Sequence, residues 1–312
     1  MSTAEQDRVR ASVPLPDYQF ETRSFVHPDG LAQSYLDVGP RDGEVVLMLH
    51  GNPSWSFYWR KLVTALSDRY RCIVPDHIGM GMSDKPDDAH YKYTLQTRVD
   101  DLEALLAHAG IHGPVTLAVH DWGGMIGFGW ALANSSRVRR LVILNTAAFP
   151  LPAGKTMPAR LSMGRDSKLG GYLIRRFNLF ARGAAWMGTK RHLPKDVRAA
   201  YSAPYDGWGN AISTLRFMQD IPLSPEDPAW SLVERAARKL SSYADRPVFI
   251  GWGLRDFVFD KHFLAVFELA LPNAEKHVYA DAGHYVLEDK AELLVPAIRR
   301  FLDANPPMPP SI

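Results

Sequence analysis

The segment VTLAVHDWGG, residues 115–124, carries an acid where an extended run meets a helix-forming one. VTLAVHD reads as a strand that runs directly into the helix WGGMIGFGWALA, which places Asp121 at the strand-to-helix turn. At such an elbow a side chain stands at the C-terminal edge of a parallel sheet, and the first helix amides direct partial positive charge at it. A carboxylate held there is suited to attack an electrophilic carbon, and the small Gly123 and Gly124 relieve the tight turn. The usual elbow has glycine two residues before the nucleophile; here that residue is Val119, so the assignment rests on the strand–turn–helix context. Aspartate is also a common helix N-cap, and the residues alone leave both readings open.

An aspartate that forms an ester needs a base to activate water and a carboxylate to orient that base. VYADAGHYVLED places His284 in a Gly-His loop after the last strand-like run, and GWGLRDFVFD places Asp256 just beyond the run before it. The chain order is therefore nucleophile, acid, histidine. Among eleven histidines, His27, His90, His108, His112, His192 and His262 are read in loops or helices without strand-end context. Asp260 competes with Asp256, whereas the end of the sixth strand, LVILNT, offers Asn145 and no carboxylate. HGNPSWSFYWR follows the third strand, where the loop that lends an oxyanion-hole amide is expected. The Asn52 side chain donates two N–H bonds and the Trp122 indole one, so the pair suits negative charge on a leaving group. Singly, Asn52 also reads as an Asx-turn and Trp122 as core filling. No His, Cys and carboxylate cluster has metal-ligand spacing, and GMGMSDKP lacks the phosphate-loop lysine pattern, so neither metal nor nucleotide cofactor is expected.

Residues so far apart in sequence need a sheet to gather them. Eight short aliphatic runs begin at Gln19, Ser34, Glu44, Arg71, Val115, Arg139, Pro247 and Lys276, and most alternate with helical patterns, which predicts an α/β protein with a mostly parallel sheet. Leu102, Leu105 and Leu106, and Leu293, Leu294, Ile298, Phe301 and Leu302, recur at helical spacing and should cover it. From Phe149 to Trp230 proline, glycine and basic residues interrupt short amphipathic stretches and no strand-like run occurs. This reads as a helical cap inserted after strand six, dividing the chain into core (1–150), cap (151–230) and core (231–312). The cap segment GGYLIRRFNLFARGAAWM is apolar yet studded with arginines; for each of Leu173, Ile174, Phe177, Leu179, Phe180 and Trp186, packing within the cap is expected over substrate contact. The tail NPPMPPSI reads as frayed.

The 312 residues are 46% apolar and 22% charged, the proportions of a globular chain rather than a disordered one. Thirty-six basic against thirty-four acidic side chains leave +2, too balanced for a nucleic-acid binder. The single Cys72 forms no intramolecular disulfide, the charged N-terminus has no apolar signal region, and no run approaches the roughly 18 apolar residues of a membrane span. A cytoplasmic protein is expected.

HGNPSWSFYWR, PDHIGMGMSDKP, VHDWGGMIGFGWALA, GWGLRDFVF and DAGHYVLED together resemble the haloalkane dehalogenase group of α/β-hydrolases, over nearly the whole chain. The resemblance implies an α/β-hydrolase fold with Asp121 as nucleophile, Asn52 and Trp122 holding the leaving group, and His284 working with Asp256. Epoxide hydrolases share the nucleophile motif but carry cap tyrosines that protonate the epoxide; Tyr172, Tyr201 and Tyr205 keep that alternative open. The cap text PYDGWGNAISTLRFMQDIPLSPEDPAW and GMGMSDKPDD are most similar to the β-lactone decarboxylases of bacterial long-chain olefin biosynthesis. That likeness implies cofactor-free conversion of a hydrophobic cis-β-lactone to a cis-alkene and carbon dioxide, and leaves room for association with other enzymes of the same pathway. Both chemistries begin with Asp121 attacking carbon, so the motifs alone do not separate lactone opening from halide loss. A ligand-binding protein without turnover would not require nucleophile, base and acid at three strand ends.

Overall fold

In a computed structural model, which describes residues 3–306, the eight aliphatic runs become β1 (Thr22–Val26), β2 (Ala32–Val38), β3 (Val45–Leu49), β4 (Arg71–Pro75), β5 (Val115–Asp121), β6 (Val138–Thr146), β7 (Val248–Gly253) and β8 (Glu275–Tyr279). They form one sheet in the order β1-β2-β4-β3-β5-β6-β7-β8. The two pairings made by β2 are antiparallel and the other five are parallel. At the centre Leu47 lies opposite Leu117, Leu117 opposite Leu141, and Leu141 opposite Val248.

Alternate residues of a strand face opposite sides of the sheet. Leu47, Leu117, Leu141 and Ile250 accordingly enter one core, while Val46, Ala118, Val142 and Phe249 enter another. Helices cover both faces, so the central strands are apolar throughout rather than alternating. The helices before the sixth strand are α1 (Ala4–Ser12), α2 (Arg60–Leu66), α3 (Leu95–His108) and α4 (Trp122–Asn134). Leu102, Leu105 and Leu106 of α3 join the first core and Leu62 and Val63 of α2 the second, which also holds Cys72.

Between β6 and β7 come α5 (Ala159–Asp166), α6 (Lys168–Phe177), α7 (Leu179–Met187), α8 (Lys195–Ser202) and α9 (Ile212–Gln219), with no strand, as the expected helical insertion. Then α10 (Trp230–Lys239) returns to pack on α4. The chain closes through α11 (Lys261–Ala270), the short α12 (Val286–Asp289) and α13 (Ala291–Ala304), whose Leu294, Ile298 and Phe301 enter the second core.

Of two terminal features, one was not assigned from the sequence and the other differs from its reading. The charged N-terminal segment is a helix, started by a reciprocal cap between Thr3 and Gln6; the buried Gln6 amide then reaches Arg23 O at 3.1 Å and Ser34 Oγ at 3.0 Å. At the other end Asn305 is held rather than frayed, because Arg140 donates to its carbonyl at 2.8 Å; residues 307–312 of the proline-rich tail lie outside the described residues. No helix among the described residues is long and apolar enough to cross a membrane.

Candidate active site

Asp121 ends β5 with φ +52°, a conformation that side chains rarely adopt. Its surroundings hold it there. The carbonyl of Asp121 accepts a hydrogen bond from Thr146 Oγ1, and two glycines make room. A Cβ on Gly51 would lie 1.9 Å from Asp121 Oδ1, and one on Gly123 2.1 Å from Leu49 O. The side chain makes no capping bond to α4. Instead the Asn52 backbone N–H donates to Oδ1 at 2.6 Å, so the helix-cap reading fails and Oδ2 is left toward His284.

His284 Nε2 stands 3.6 Å from Asp121 Oδ2, and its Nδ1 is 2.8 Å from Asp256 Oδ2. Asp256 lies behind the imidazole, buried, with Oδ1 accepting the Val258 N–H at 2.8 Å. Burial by itself would lower the His284 pKa, but the charge and hydrogen bond of Asp256, with the charge of Asp121, hold it above 6.5. Burial pushes the Asp121 carboxyl up from its ordinary 3.8, against the opposing pull of His284 and the Asn52 amide. Asp260, the competing acid, is elsewhere: it pairs with Lys155 at 2.6 Å and caps α11 through the His262 N–H. His27 does follow a strand, contrary to the sequence reading, but at the outermost β1, where it bonds Gln33 at 2.9 Å.

Sequence reasoning passed over Asn145 as a position without an acid. The structure gives it a different part: its Nδ2 donates to Asp256 Oδ2 at 3.0 Å and to Gly253 O at 3.0 Å, while its Oδ1 accepts the Gly253 N–H at 2.8 Å. Asn145 thus ties the Asp256 carboxylate to the end of β7. Its φ of +26° was the available signal, since asparagine tolerates that region, but it is visible only in the fold. His120 was missed as well; its ring stacks 4.1 Å from Tyr58 and its Nε2 meets the His284 carbonyl at 3.0 Å.

Asn52 and Trp122 join Asp121 and His284 at the floor of a cavity of ≈ 380 Å³ whose walls are largely apolar. One of the two Asn52 side-chain N–H groups is committed to the Thr214 carbonyl of α9 at 2.9 Å, leaving one for a ligand. Trp122 meets Phe217 edge-on at 5.2 Å and lines the same cavity. The expectation of packing alone for the cap residues is corrected: Leu173, Ile174, Leu179 and Phe180 line the cavity, whereas Phe177 and Trp186 lie on the surface. The tyrosines of the epoxide alternative are also misplaced. Tyr172 is exposed, Tyr201 bonds Glu288 at 2.6 Å and Tyr205 bonds Ser54 O at 3.2 Å, and none lines the cavity. A carboxylate with one oxygen fixed, an imidazole beside the other and two donors facing an apolar chamber can attack a hydrophobic electrophile and hold the charge released.

Fold and site together define an enzyme of the α/β-hydrolase superfamily. The chain belongs to the alpha/beta hydrolase fold family, whose model matches residues 44–291. It is 66% identical over 296 residues, covering 93% of this chain and 99% of the relative, to the cis-3-alkyl-4-alkyloxetan-2-one decarboxylase of Xanthomonas campestris. The protein of the same name from Shewanella oneidensis is 51% identical, covering 90% of this chain and 88% of that one. A haloalkane dehalogenase of Mycolicibacterium paratuberculosis is 32% identical, covering 88% of each. Among solved structures, a haloalkane dehalogenase from Bradyrhizobium elkani superposes with a TM-score of 0.82 at 26% identity, covering 92% of this chain and 98% of that chain.

Proposed function

We propose that the protein is a cis-β-lactone decarboxylase, converting a hydrophobic cis-3-alkyl-4-alkyloxetan-2-one to a cis-alkene and carbon dioxide. The choice of lactone over haloalkane rests on the 66% identity to the Xanthomonas campestris decarboxylase, against 32% to a dehalogenase.

In this reading Asp121 is the nucleophile. Its Oδ2 attacks the alkyl ring carbon that bears oxygen; the ring C–O bond breaks and its electron pair leaves on a carboxylate. The free Asn52 N–H and the Trp122 indole N–H donate to that charge, which is where preorganised donors lower a barrier. The carboxylate then departs as carbon dioxide. Its C–C bonding pair becomes the alkene π bond, the C–O bond to Asp121 breaks, and the carboxylate is restored with no water consumed. Attack from the back face sets the new ester anti to the departing carboxyl with the two alkyl groups gauche on the same side, so anti fragmentation delivers the cis-alkene. Attack at the carbonyl would instead release an alkoxide, a far more basic oxygen than a carboxylate. His284, oriented by Asp256, supplies positive charge beside Asp121, and the helices within residues 151–230 form the cap that encloses the alkyl chains. We place the reaction in the cytoplasm, where an unpaired Cys72 is at home.

Product analysis tests the assignment. Purified protein incubated with a synthetic cis-dialkyl β-lactone should release alkene. Alcohol and bromide from a bromoalkane, with no alkene from the lactone, would overturn it in favour of dehalogenation.

A further inference from the structure

The outer faces of α6 and α7 carry large apolar side chains among basic ones. Leu169, Tyr172 and Arg176 recur at helical spacing on the exposed side of α6, and Leu179, Arg182 and Trp186 on that of α7. Leu169 is 67% exposed, Trp186 57% and Tyr172 49%. The aromatics are sheathed by guanidinium groups: Arg198 lies 4.0 Å over Trp186, and Arg175 lies 4.2 Å over Trp208, the ring that Tyr172 meets at 5.8 Å. The apolar face also continues inward, since Leu179 and Met187 are 48% and 40% exposed and line the cavity as well.

Charge follows the same division. Residues 151–200 hold eleven lysines and arginines against only Asp166 and Asp196, while the rest of the chain holds 25 basic against 32 acidic side chains. The near-neutral total conceals a basic segment in an otherwise acidic chain, and α6 and α7 contribute Lys168, Arg175, Arg176 and Arg182 to it. Lys168, Arg175 and Arg176 have no carboxylate within 4.0 Å among the described residues.

We propose that this α6–α7 face docks on an anionic phospholipid surface, opening the apolar cavity toward the acyl region. Interleaved arginine with tryptophan, tyrosine and leucine is the composition of a segment that lies in a membrane interface, and basic residues there draw it to anionic headgroups. A second copy is disfavoured, because a two-fold contact would set this basic face against itself. The surface goes beyond the proposed reaction, and its test needs no turnover.

The experiment is retention of the full chain on sedimented phosphatidylcholine vesicles with and without phosphatidylglycerol. Retention should require phosphatidylglycerol and fall between about 0.1 M and about 1 M salt, as the Debye length shrinks from about 10 to about 3 Å. Lys168→Glu/Arg176→Glu/Arg182→Glu, at positions outside the cavity lining, should weaken partitioning by more than about a hundredfold, from about fivefold per basic residue. Leu169→Ser/Trp186→Ser should weaken it with the charge intact, and both variants should melt as the native protein does. Equal retention on neutral vesicles, or native retention by either variant, would overturn the proposal. Concentration-dependent dimerisation abolished by the same substitutions, without vesicle retention, would assign the face to a second copy instead.

Discussion

Asn145 offers a quantitative test of how the site is held. Replacing it by alanine strips Asp256 Oδ2 of a donor at 3.0 Å and leaves the Gly253 N–H and C=O without their side-chain partner, all in a buried setting. A hydrogen bond to a charged group contributes about 1.5–3 kcal/mol, and an orphaned buried backbone group costs about 1–3 kcal/mol. Partial relaxation should leave a loss of about 3 kcal/mol, which at about 2–4 °C per kcal/mol lowers the melting temperature by about 6–12 °C. Turnover should fall by about tenfold or more, because His284 is aimed by the carboxylate that Asn145 fixes. Asn145→Asp keeps the shape and adds a second carboxylate against Asp256. Burial and that neighbour raise the pKa of the new acid in the folded state above its unfolded value of about 3.9. A raised folded pKa gives stability that is complete below the unfolded value and lost as pH rises through the folded one. The aspartate variant should therefore melt near the native temperature in acid and progressively below it toward neutrality, whereas the alanine variant is destabilised throughout. Circular-dichroism melts across this range with parallel rate measurements decide it. An alanine variant that melts within about 1 °C of native, at unchanged turnover, would refute the assignment.

Trp122→Phe removes one donor and keeps the packing on Phe217, so turnover should fall by about 10- to 1,000-fold; unchanged kinetics in it and in Asn52→Ala would place the leaving group elsewhere. His284→Ala should retain partial multiple turnover with the lactone, which consumes no water, but make a single turnover with any haloalkane and carry the alkyl ester as added mass on the intact protein. A stable adduct from the lactone, carboxyl still present and no alkene released, would show that collapse of the ester needs the histidine and would defeat the unassisted fragmentation. An NMR titration should find the His284 imidazole above 6.5 in the native protein and lower in Asp256→Asn, where the same burial meets less opposing charge; an unchanged midpoint would mean Asp256 does not set it.

The eight strands were legible because each is a short aliphatic run, and the five candidate site residues were legible because each lies at or just beyond the C-terminal end of one of four strands. What the sequence withheld depends on contact across the sheet. Nothing near Asn145 in the chain indicates that it meets Asp256, and nothing near Asn52 indicates that the Thr214 carbonyl occupies half of its amide. The α6–α7 segment shows a different limit. Helical spacing identifies faces, but when Ile174 and Tyr172, or Phe180 and Trp186, are all large and apolar, periodicity does not say which face meets the cavity and which meets solvent. Tyr201 and Tyr205 fail as acid donors for the converse reason, since a cap tyrosine serves only when its hydroxyl reaches the chamber.

Strands β6 and β7 are hydrogen-bonded neighbours, with Leu141 opposite Val248, although all of α5–α10 lies between them in the chain. Because the two strands run parallel, that chain leaves the sheet at the end of β6 and re-enters it at the opposite edge, at the start of β7, with α10 packed on α4 making the return. Loop-closure entropy grows only slowly with length, so that segment is free to lengthen, shorten or be exchanged wholesale while Asp121 upstream and Asp256 and His284 downstream keep their places. Ancestry and chemistry are thereby uncoupled: a lineage can change which molecules it admits by trading one module, and a laboratory can attempt the same trade by recombining relatives at those two strand ends.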